Sequence, residues 1–211
     1  MESLHGALLP EVVGRMLERH PGISLHVSSA SSGHIAEYVA NGRADVGMAF
    51  EMPRHEDVAH AASGRFRLGA LVAAGHPLAR RRSVTLAQCT RWPLILGTED
   101  LASFALIQGE LETLPEPPRA VVRATSVELM KRLAAAGHGI AFQTRLGLEA
   151  AASGAAKFIP LESTQGAPIM GTLGIHVRSG RHLPPAAAAF VECASEVIQR
   201  LAAQDARPKR R

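Results

Sequence analysis

The sequence predicts an α/β protein, because short apolar strands alternate with amphipathic helices along most of the chain. Apolar residues from Leu8 to Leu17 fall at helical spacing and end at the stop signal His20-Pro21-Gly22. The continuous apolar run VGMAF, residues 46–50, is typical of a strand covered on both faces. Strands of this kind, separated by helices, favour a sheet with many parallel strands.

The first half of the chain supplies the elements in this order. ISLHV (23–27) has alternating β-branched residues and predicts a strand, and the residues around Ile35 and Tyr38 predict a helix closed by Asn41-Gly42. Further elements are expected at VGMAF (46–50), RFRLGALVAA (65–74) and the short helical stretch TLAQC.

The alternation starts again after Trp92. Strands are expected at PLILG (93–97), AVVRA (120–124), GIAFQ (139–143), KFIPL and TLGIHV. Helices are expected around 101–114, between AVVRA and GIAFQ, in an Ala-rich stretch ending at Gly154, and from Pro184-Pro185 to about residue 204.

Charge and hydropathy exclude several classes of protein. The net charge is +4, but Arg207, Lys209, Arg210 and Arg211 supply all of it, so the body of the chain lacks a basic excess for binding nucleic acid. No apolar run reaches the roughly 18 residues of a membrane span. Glu2 stands where a signal peptide would be positive, so we expect a cytoplasmic chain.

Cysteine and histidine give no sign of a metal or cofactor site. Cys89 and Cys193 lack CxxC spacing and lie in apolar segments, which predicts buried free thiols. None of the ten histidines forms an HxxxH pair. We therefore expect neither a bound metal nor a cofactor.

Two segments share one pattern: strand, hydroxyl-rich turn, helix, Gly-containing stop and buried strand. In the first, Ser28, Ser29, Ser31 and Ser32 precede the helix, and in the second Thr125-Ser126 does so. One hydroxyl is enough to cap a helix, and Thr125 with Glu128 fits a capping box. The remaining serines favour a binding rim, since helix N-termini attract anions.

Several motifs occur in the order of a known family. LLPEVVGRMLERHPGISL is followed by SSGHIAEYVANGRADVGMAF, LVAAGHPLARRRSVTLAQC and ATSVELMKRLAAAGHGIAF. Each motif alone is weak, but their order over residues 3 to about 192 resembles the effector-binding domain of LysR-type transcriptional regulators. The resemblance implies a fold like the type II periplasmic binding proteins, with two Rossmann-like lobes joined by two crossover strands. Lobe I would be residues 1–74 plus 175–211, and lobe II residues 75–174.

The resemblance also implies a site for a small, anionic effector between the lobes. The positions that match the family's ligand-binding residues come from both lobes: Ser3, Ser31, Ser32 and Phe50 from lobe I, and Thr98, Ser126, Gln143 and Thr144 from lobe II. Glu51 follows Phe50 at the same edge.

The family's winged helix-turn-helix, and the strand expected before Ser3, match nothing in the sequence. DNA would therefore be contacted only through an N-terminal domain absent from this chain. The resemblance implies a homodimer, and a tetramer in the full-length form.

Two other functions remain open. A solute-binding protein of a transporter would share the fold but would need an export signal. An enzyme would need a nucleophile with a base or paired acids, and neither GxSxG nor GxGxxG occurs. We expect no catalytic activity.

Overall fold

The predicted alternation of helices and strands is confirmed, with one exception among the strands. The computed structural model describes residues 4–147 and 155–206. The α-helices are α1 (Leu8–Arg19), α2 (Ser32–Ala40), α3 (Leu86–Cys89), α4 (Ala102–Glu112), α5 (Val127–Ala135) and α6 (Pro185–Ala206). The strands are β1 (Val46–Phe50), β2 (Val58–Ala73), β3 (Val84–Thr85), β4 (Leu94–Gly97), β5 (Ala120–Ala124), β6 (Ile140–Thr144), β7 (Ala156–Glu162) and β8 (Met170–Arg178). The Ala-rich helix expected before Gly154 and the basic C-terminal tail lie outside the described residues.

Contacts divide the chain into two units. Unit 1 is built from the segments up to Phe66 and from Thr172 onward, and unit 2 runs from Arg67 to Gly171. Strands β2 and β8 each continue from one unit into the other. The lobe limits that the resemblance implies stay a prediction.

Unit 2 has a mixed sheet between two apolar layers. Strand β4 pairs in parallel with β5 and β6, and β2 pairs antiparallel with β6 on one edge and β7 on the other. Side chains of β4 and β6 alternate between the two faces. Ile95 and Ala141 pack with Met130 of α5, while Leu96 and Phe142 belong to a second cluster. The cores on both faces explain why these strands read as continuous apolar runs.

Unit 1 has the strand order β1–β8–β2, with β1 and β8 antiparallel. Helix α1 packs against α6 through buried apolar residues and through ion pairs along the rim. Arg15 contacts Glu11 at 2.9 Å and Glu196 at 3.0 Å, and Arg200 also contacts Glu11. Because these charges are partly exposed, the pairs orient the two helices more than they stabilise them.

The strand predicted at ISLHV is wrong. Residues 23–27 have no strand assignment, although Ile23 and Leu25 are half-buried while Ser24 and His26 between them are exposed. The alternation of a strand is therefore present, but a strand also needs a hydrogen-bonded neighbour. No backbone–backbone hydrogen bond joins residues 24–27 to another described residue.

Both cysteines are buried free thiols, as predicted. Burial raises the pKa of Cys89 to about 12, so this thiol stays protonated and unreactive at neutral pH. Within the described ranges, no helix is long and apolar enough to cross a membrane.

Gly69 in β2 should not tolerate a side chain without a loss of stability. A Cβ atom at Gly69 would lie 2.4 Å from the Phe158 ring and 2.6 Å from the Ile159 carbonyl oxygen. Since a backbone oxygen cannot move cheaply, Gly69→Ala should lower the free energy of unfolding by about 1 to 3 kcal/mol, measured by urea denaturation. Gly14→Ala is the control: no atom lies within 4 Å of that position in α1, so helix propensity should raise stability by about 0.5 to 1 kcal/mol. Equal stability of Gly69→Ala and wild type would contradict this close approach.

The free energy of unfolding should decrease at acidic pH because of His176 in β8. Its ring is half-buried over Gly174 and lies 5.5 Å from the ring of His60. Burial, and secondarily the charge of His60, lower the pKa of His176 to about 4. The unfolded chain, with an ordinary pKa near 6.5, therefore binds a proton that the folded chain excludes.

We expect the free energy of unfolding to be constant above pH 7 and to decrease from about pH 6.5 toward pH 4. Thermal unfolding at a series of pH values measures this change. In His176→Gln the loss of stability between pH 7.5 and pH 4 should be smaller than in the wild type, with each protein compared with its own stability at pH 7.5. An identical acid limb in the variant would show that another group is responsible.

Candidate functional site

The predicted site residues of unit 2 gather at one edge of its sheet. Thr98 follows β4, Ser126 follows β5, and Gln143 and Thr144 end β6. Because β4 is parallel to both β5 and β6, the carboxyl ends of the three strands lie at the same edge. The Thr98 N–H donates to the Ala124 carbonyl oxygen at 3.3 Å, which joins the ends of β4 and β5 directly.

Gln143 and Thr144 each bury one side-chain polar atom that has no hydrogen-bond partner among the described residues. The two residues are 2% and 5% exposed, and the atoms are Gln143 Nε2 and Thr144 Oγ1. A buried polar atom left in this way costs about 1 to 3 kcal/mol. Folded chains rarely keep such atoms unless water or a ligand satisfies them.

The position of the two residues limits where a shared ligand could lie. Neighbouring residues of a strand point to opposite faces of the sheet, and β6 pairs through Gln143 and Thr144 with Gly69 and Leu68 of β2. A molecule touching both side chains would therefore have to lie beyond the strand end rather than on one face.

Ser126 caps α5 at this edge. Its Oγ accepts a hydrogen bond from the Leu129 N–H at 3.3 Å. The capping box expected at Thr125 is therefore wrong, because α5 begins one residue later than the Thr125–Glu128 spacing requires; Glu128 instead pairs with Lys131 and Arg132. The free N–H groups and positive dipole end of α5 still favour a negative charge here.

Thr98 is engaged by a neighbour that the sequence analysis missed. Its hydroxyl donates to Asp100 Oδ1, and its carbonyl oxygen accepts from the Leu101 N–H at 3.0 Å. Thr98 cannot donate to an anion without losing the bond to Asp100. The spacing Thr-x-Asp after a strand, which is typical of a side-chain-closed turn, could have indicated this pairing.

The predicted site serines of unit 1 make hydrogen bonds within the fold. Ser31 is the N-cap of α2, and its Oγ lies 2.9 Å from His34 Nδ1. The Ser32 hydroxyl donates to the Phe50 carbonyl oxygen at 3.1 Å and so joins the start of α2 to the end of β1. The Phe50 ring is buried against Phe66, with ring centres 5.9 Å apart, so only the backbone of Phe50 remains for a ligand.

Glu51 holds the end of β1 in an unusual conformation. Its φ is +47°, a value uncommon outside glycine, which no sequence pattern here predicts. Its N–H donates to the Thr172 carbonyl oxygen at 3.1 Å, and its Oε1 accepts from the Thr172 N–H at 2.6 Å. These bonds extend the pairing of β1 with β8 by one residue.

Ser3 lies outside the described residues. Unit 1 also contains a cavity of about 370 Å³, and Ser24, Ser28 and Ser29 are among the residues that line it. The predicted site residues Ser31, Ser32 and Phe50 do not line this cavity. Ser29 bonds to His5 at 2.9 Å. Among the described residues, no three His, Cys, Asp or Glu side chains cluster as a metal site requires.

The chain is similar to one family of domains and to several known proteins. Residues 1–199 match the LysR substrate binding domain family. The HTH-type transcriptional regulator SsuR of Burkholderia cenocepacia is 26% identical over 133 residues, which are 63% of this chain and 43% of that protein. The chain thus spans less than half of this relative's length.

Solved structures share the fold. The regulatory domain of CcmR from Synechocystis PCC6803, in complex with 2-PG, has a TM-score of 0.81 at 17% identity, covering 94% of each chain. The effector binding domain of QuiR, in complex with shikimate, has a TM-score of 0.77 at 17% identity, covering 94% of this chain and 93% of that one. The predicted two-lobed fold of the periplasmic-binding-protein type is confirmed.

The unpartnered hydroxyl of Thr144 should be dispensable for folding. Thr144→Val keeps the shape and removes the buried polar atom, so stability without ligand should stay equal or rise by about 1 kcal/mol in urea denaturation. Ser126→Ala, at the same edge, removes a helix cap and should cost about 1 kcal/mol. A loss of stability in Thr144→Val as large as that in Ser126→Ala would show that the Thr144 hydroxyl has a structural partner.

Proposed function

Since this chain belongs to the LysR substrate-binding domain family, which matches residues 1–199, we propose that it binds a small, anionic metabolite as the sensing domain of a transcriptional regulator. One observation carries the proposal. Two buried donor atoms, Gln143 Nε2 and Thr144 Oγ1, have no partner within residues 4–147 and 155–206, and they lie at the strand edge where this class of sheet binds ligands. A ligand with acceptor oxygens would satisfy both atoms.

Three features of this edge favour an anion. Gln143 Nε2 can only donate, and the N-terminus of α5 adds further donors and the positive end of a helix dipole. The related domains of CcmR and QuiR were solved with 2-PG and shikimate. Thr98 would contribute a donor only by exchanging a bond, since its hydroxyl donates to Asp100 and its N–H to the Ala124 carbonyl oxygen.

We propose lobe I as residues 1–74 plus 175–211 and lobe II as residues 75–174. Ser3, Ser31, Ser32 and the Phe50 backbone would contact the effector from lobe I, and Thr98, Ser126, Gln143 and Thr144 from lobe II. The effector would shift lobe closure or subunit packing only as far as it binds the two states with different affinity.

The whole regulator would act in the cytoplasm without catalysis or a cofactor. DNA would be contacted by a winged helix-turn-helix outside the matched region, as the length of the HTH-type relative suggests. We propose a homodimer of this domain and a tetramer of the full-length regulator.

Isothermal titration tests the proposed site directly. The titrants are sulfate, phosphate, shikimate and other small carboxylates, and we expect at least one to bind the wild-type chain. Gln143→Leu and Thr144→Val should each weaken that binding by about tenfold, the loss of one buried hydrogen bond.

The control is Thr113→Ala, at the C-terminal end of α4, where the hydroxyl donates to the Glu110 carbonyl oxygen. Its affinity should equal that of the wild type. Unchanged affinity in Gln143→Leu and Thr144→Val would remove these positions from the site, and failure of every anion to bind would contradict an anionic effector.

A further inference from the structure

Two acidic residues follow β4 at the edge of unit 2 where the effector is proposed to bind. Glu99 and Asp100 come directly after Thr98, and both are exposed. Neither carboxylate forms an ion pair with a residue in the described ranges. An uncompensated negative charge at this edge repels a ligand that is negative throughout. The two carboxylates therefore restrict which anions can bind here.

Asp100 lies close to the buried atoms of β6 that lack partners. The register of the parallel pair β4 and β6, continued to the strand ends, brings Gly97 level with Gln143. Neighbouring strands of a sheet are about 5 Å apart. Asp100 is held to the residue after Gly97, because its Oδ1 accepts a hydrogen bond from the Thr98 hydroxyl. The Asp100 carboxylate and the donors of Gln143 and Thr144 thus belong to adjacent strand ends.

Thr98 and Asp100 together offer acceptors to a ligand and no donors. The proton of the Thr98 hydroxyl is used in the bond to Asp100, and the Thr98 N–H donates to the Ala124 carbonyl oxygen. An ionised carboxylate has acceptor atoms only. The Asp100 side chain makes no other hydrogen bond with a residue of 4–147 or 155–206, so its Oδ2 can accept one. A ligand group that meets this pair must donate a hydrogen bond.

The remainder of the edge offers donors. Gln143 Nε2 is buried and has no partner in the described chain. Helix α4 adds to it, because its N-cap Leu101 makes no side-chain cap bond and the N–H groups of Ala102 and Ser103 bond to no described residue. The first turn of α4 lies over the end of β4, since Ser103 Oγ is 3.3 Å from the position that a Cβ atom of Gly97 would take. This part of the edge requires an acceptor group, preferably a negative one.

We propose that the effector carries a hydrogen-bond donor in addition to its anionic group, which makes it a hydroxy acid or an amino acid. The anionic group lies at Gln143 and the N-terminus of α4, and the donor lies at Asp100 Oδ2. A hydroxyl group and an ammonium group share this chemistry, and the ammonium group also compensates the charge of Asp100. The inference rests on the proposed function, because it specifies the ligand of the same site.

Matched acids test the inference on the wild-type chain by isothermal titration. Succinate, malate and aspartate share a skeleton and carry hydrogen, a hydroxyl or an ammonium group at one carbon. Propionate, lactate and alanine form a second set, and shikimate with cyclohexene-1-carboxylate, which lacks the hydroxyls, forms a third. In the set that binds, a member with a donor should bind about tenfold more tightly than the unsubstituted acid, the effect of one hydrogen bond to a charged group. The tighter of the hydroxyl and ammonium members identifies the donor.

Asp100→Asn tests the direct contact. The amide keeps an oxygen for the Thr98 hydroxyl but replaces the second oxygen with a donor. Affinity for the donor-bearing acid should fall by about tenfold, while affinity for the unsubstituted acid should stay equal or rise, because a negative charge is removed. A structural role of Asp100 alone would not change the two affinities in different directions.

Glu99→Gln is the matched control. It removes the same charge one residue away, at a side chain that makes no hydrogen bond with a described residue. It should change the affinities for both acids of a pair by the same factor.

Two results would overturn the inference and leave the proposed function intact. The first is an unsubstituted acid, or sulfate, that binds as tightly as every donor-bearing acid. The second is an equal change of both affinities in Asp100→Asn, as in Glu99→Gln. Failure of every titrant to bind contradicts the anionic effector itself, and the inference with it. The comparison of acids on the wild-type chain decides the first result even if Asp100→Asn fails to fold.

Discussion

The requirement that interior polar groups find hydrogen-bond partners explains most of what distinguishes the parts of this chain. Where the requirement is met, the residues serve the fold: the Ser32 hydroxyl reaches the Phe50 carbonyl oxygen, and Ser126 caps α5. Where it is not met within the described chain, at Gln143 Nε2 and Thr144 Oγ1, water or a ligand can supply the missing partner.

The sequence predicted the elements of unit 2 well because their signals are local. Continuous apolar runs identified β4 and β6, and a glycine stop identified the end of α5, where Gly137 has a φ of +83°. The resemblance implied that Thr98, Ser126, Gln143 and Thr144 lie at one site, and the parallel pairing of β4 with β5 and β6 brings them to one edge of the sheet. Whether each side chain is satisfied did not follow, because the bond between Thr98 and Asp100 depends on the loop conformation.

ISLHV shows why the same reasoning failed in unit 1. The residues 23–27 have the alternation of a strand and even keep the matching pattern of burial. Pairing, however, is a property of two segments, and sequence patterning reports on only one.

The surplus of serines was misleading for a related reason. Ser29 bonds to His5, Ser31 caps α2 and Ser32 bonds to Phe50, so hydroxyls that suggested a binding rim already have intramolecular roles.

The approach to the N-terminus of α2 depends on residues 23–30, which line the cavity of unit 1 and lead directly into Ser31. Ile35 and Tyr38 of α2 line the same cavity. Because a ligand must offset the entropy of ordering the groups that it touches, order in residues 23–30 that precedes binding should present Ser31 and Ser32 at a lower entropic cost.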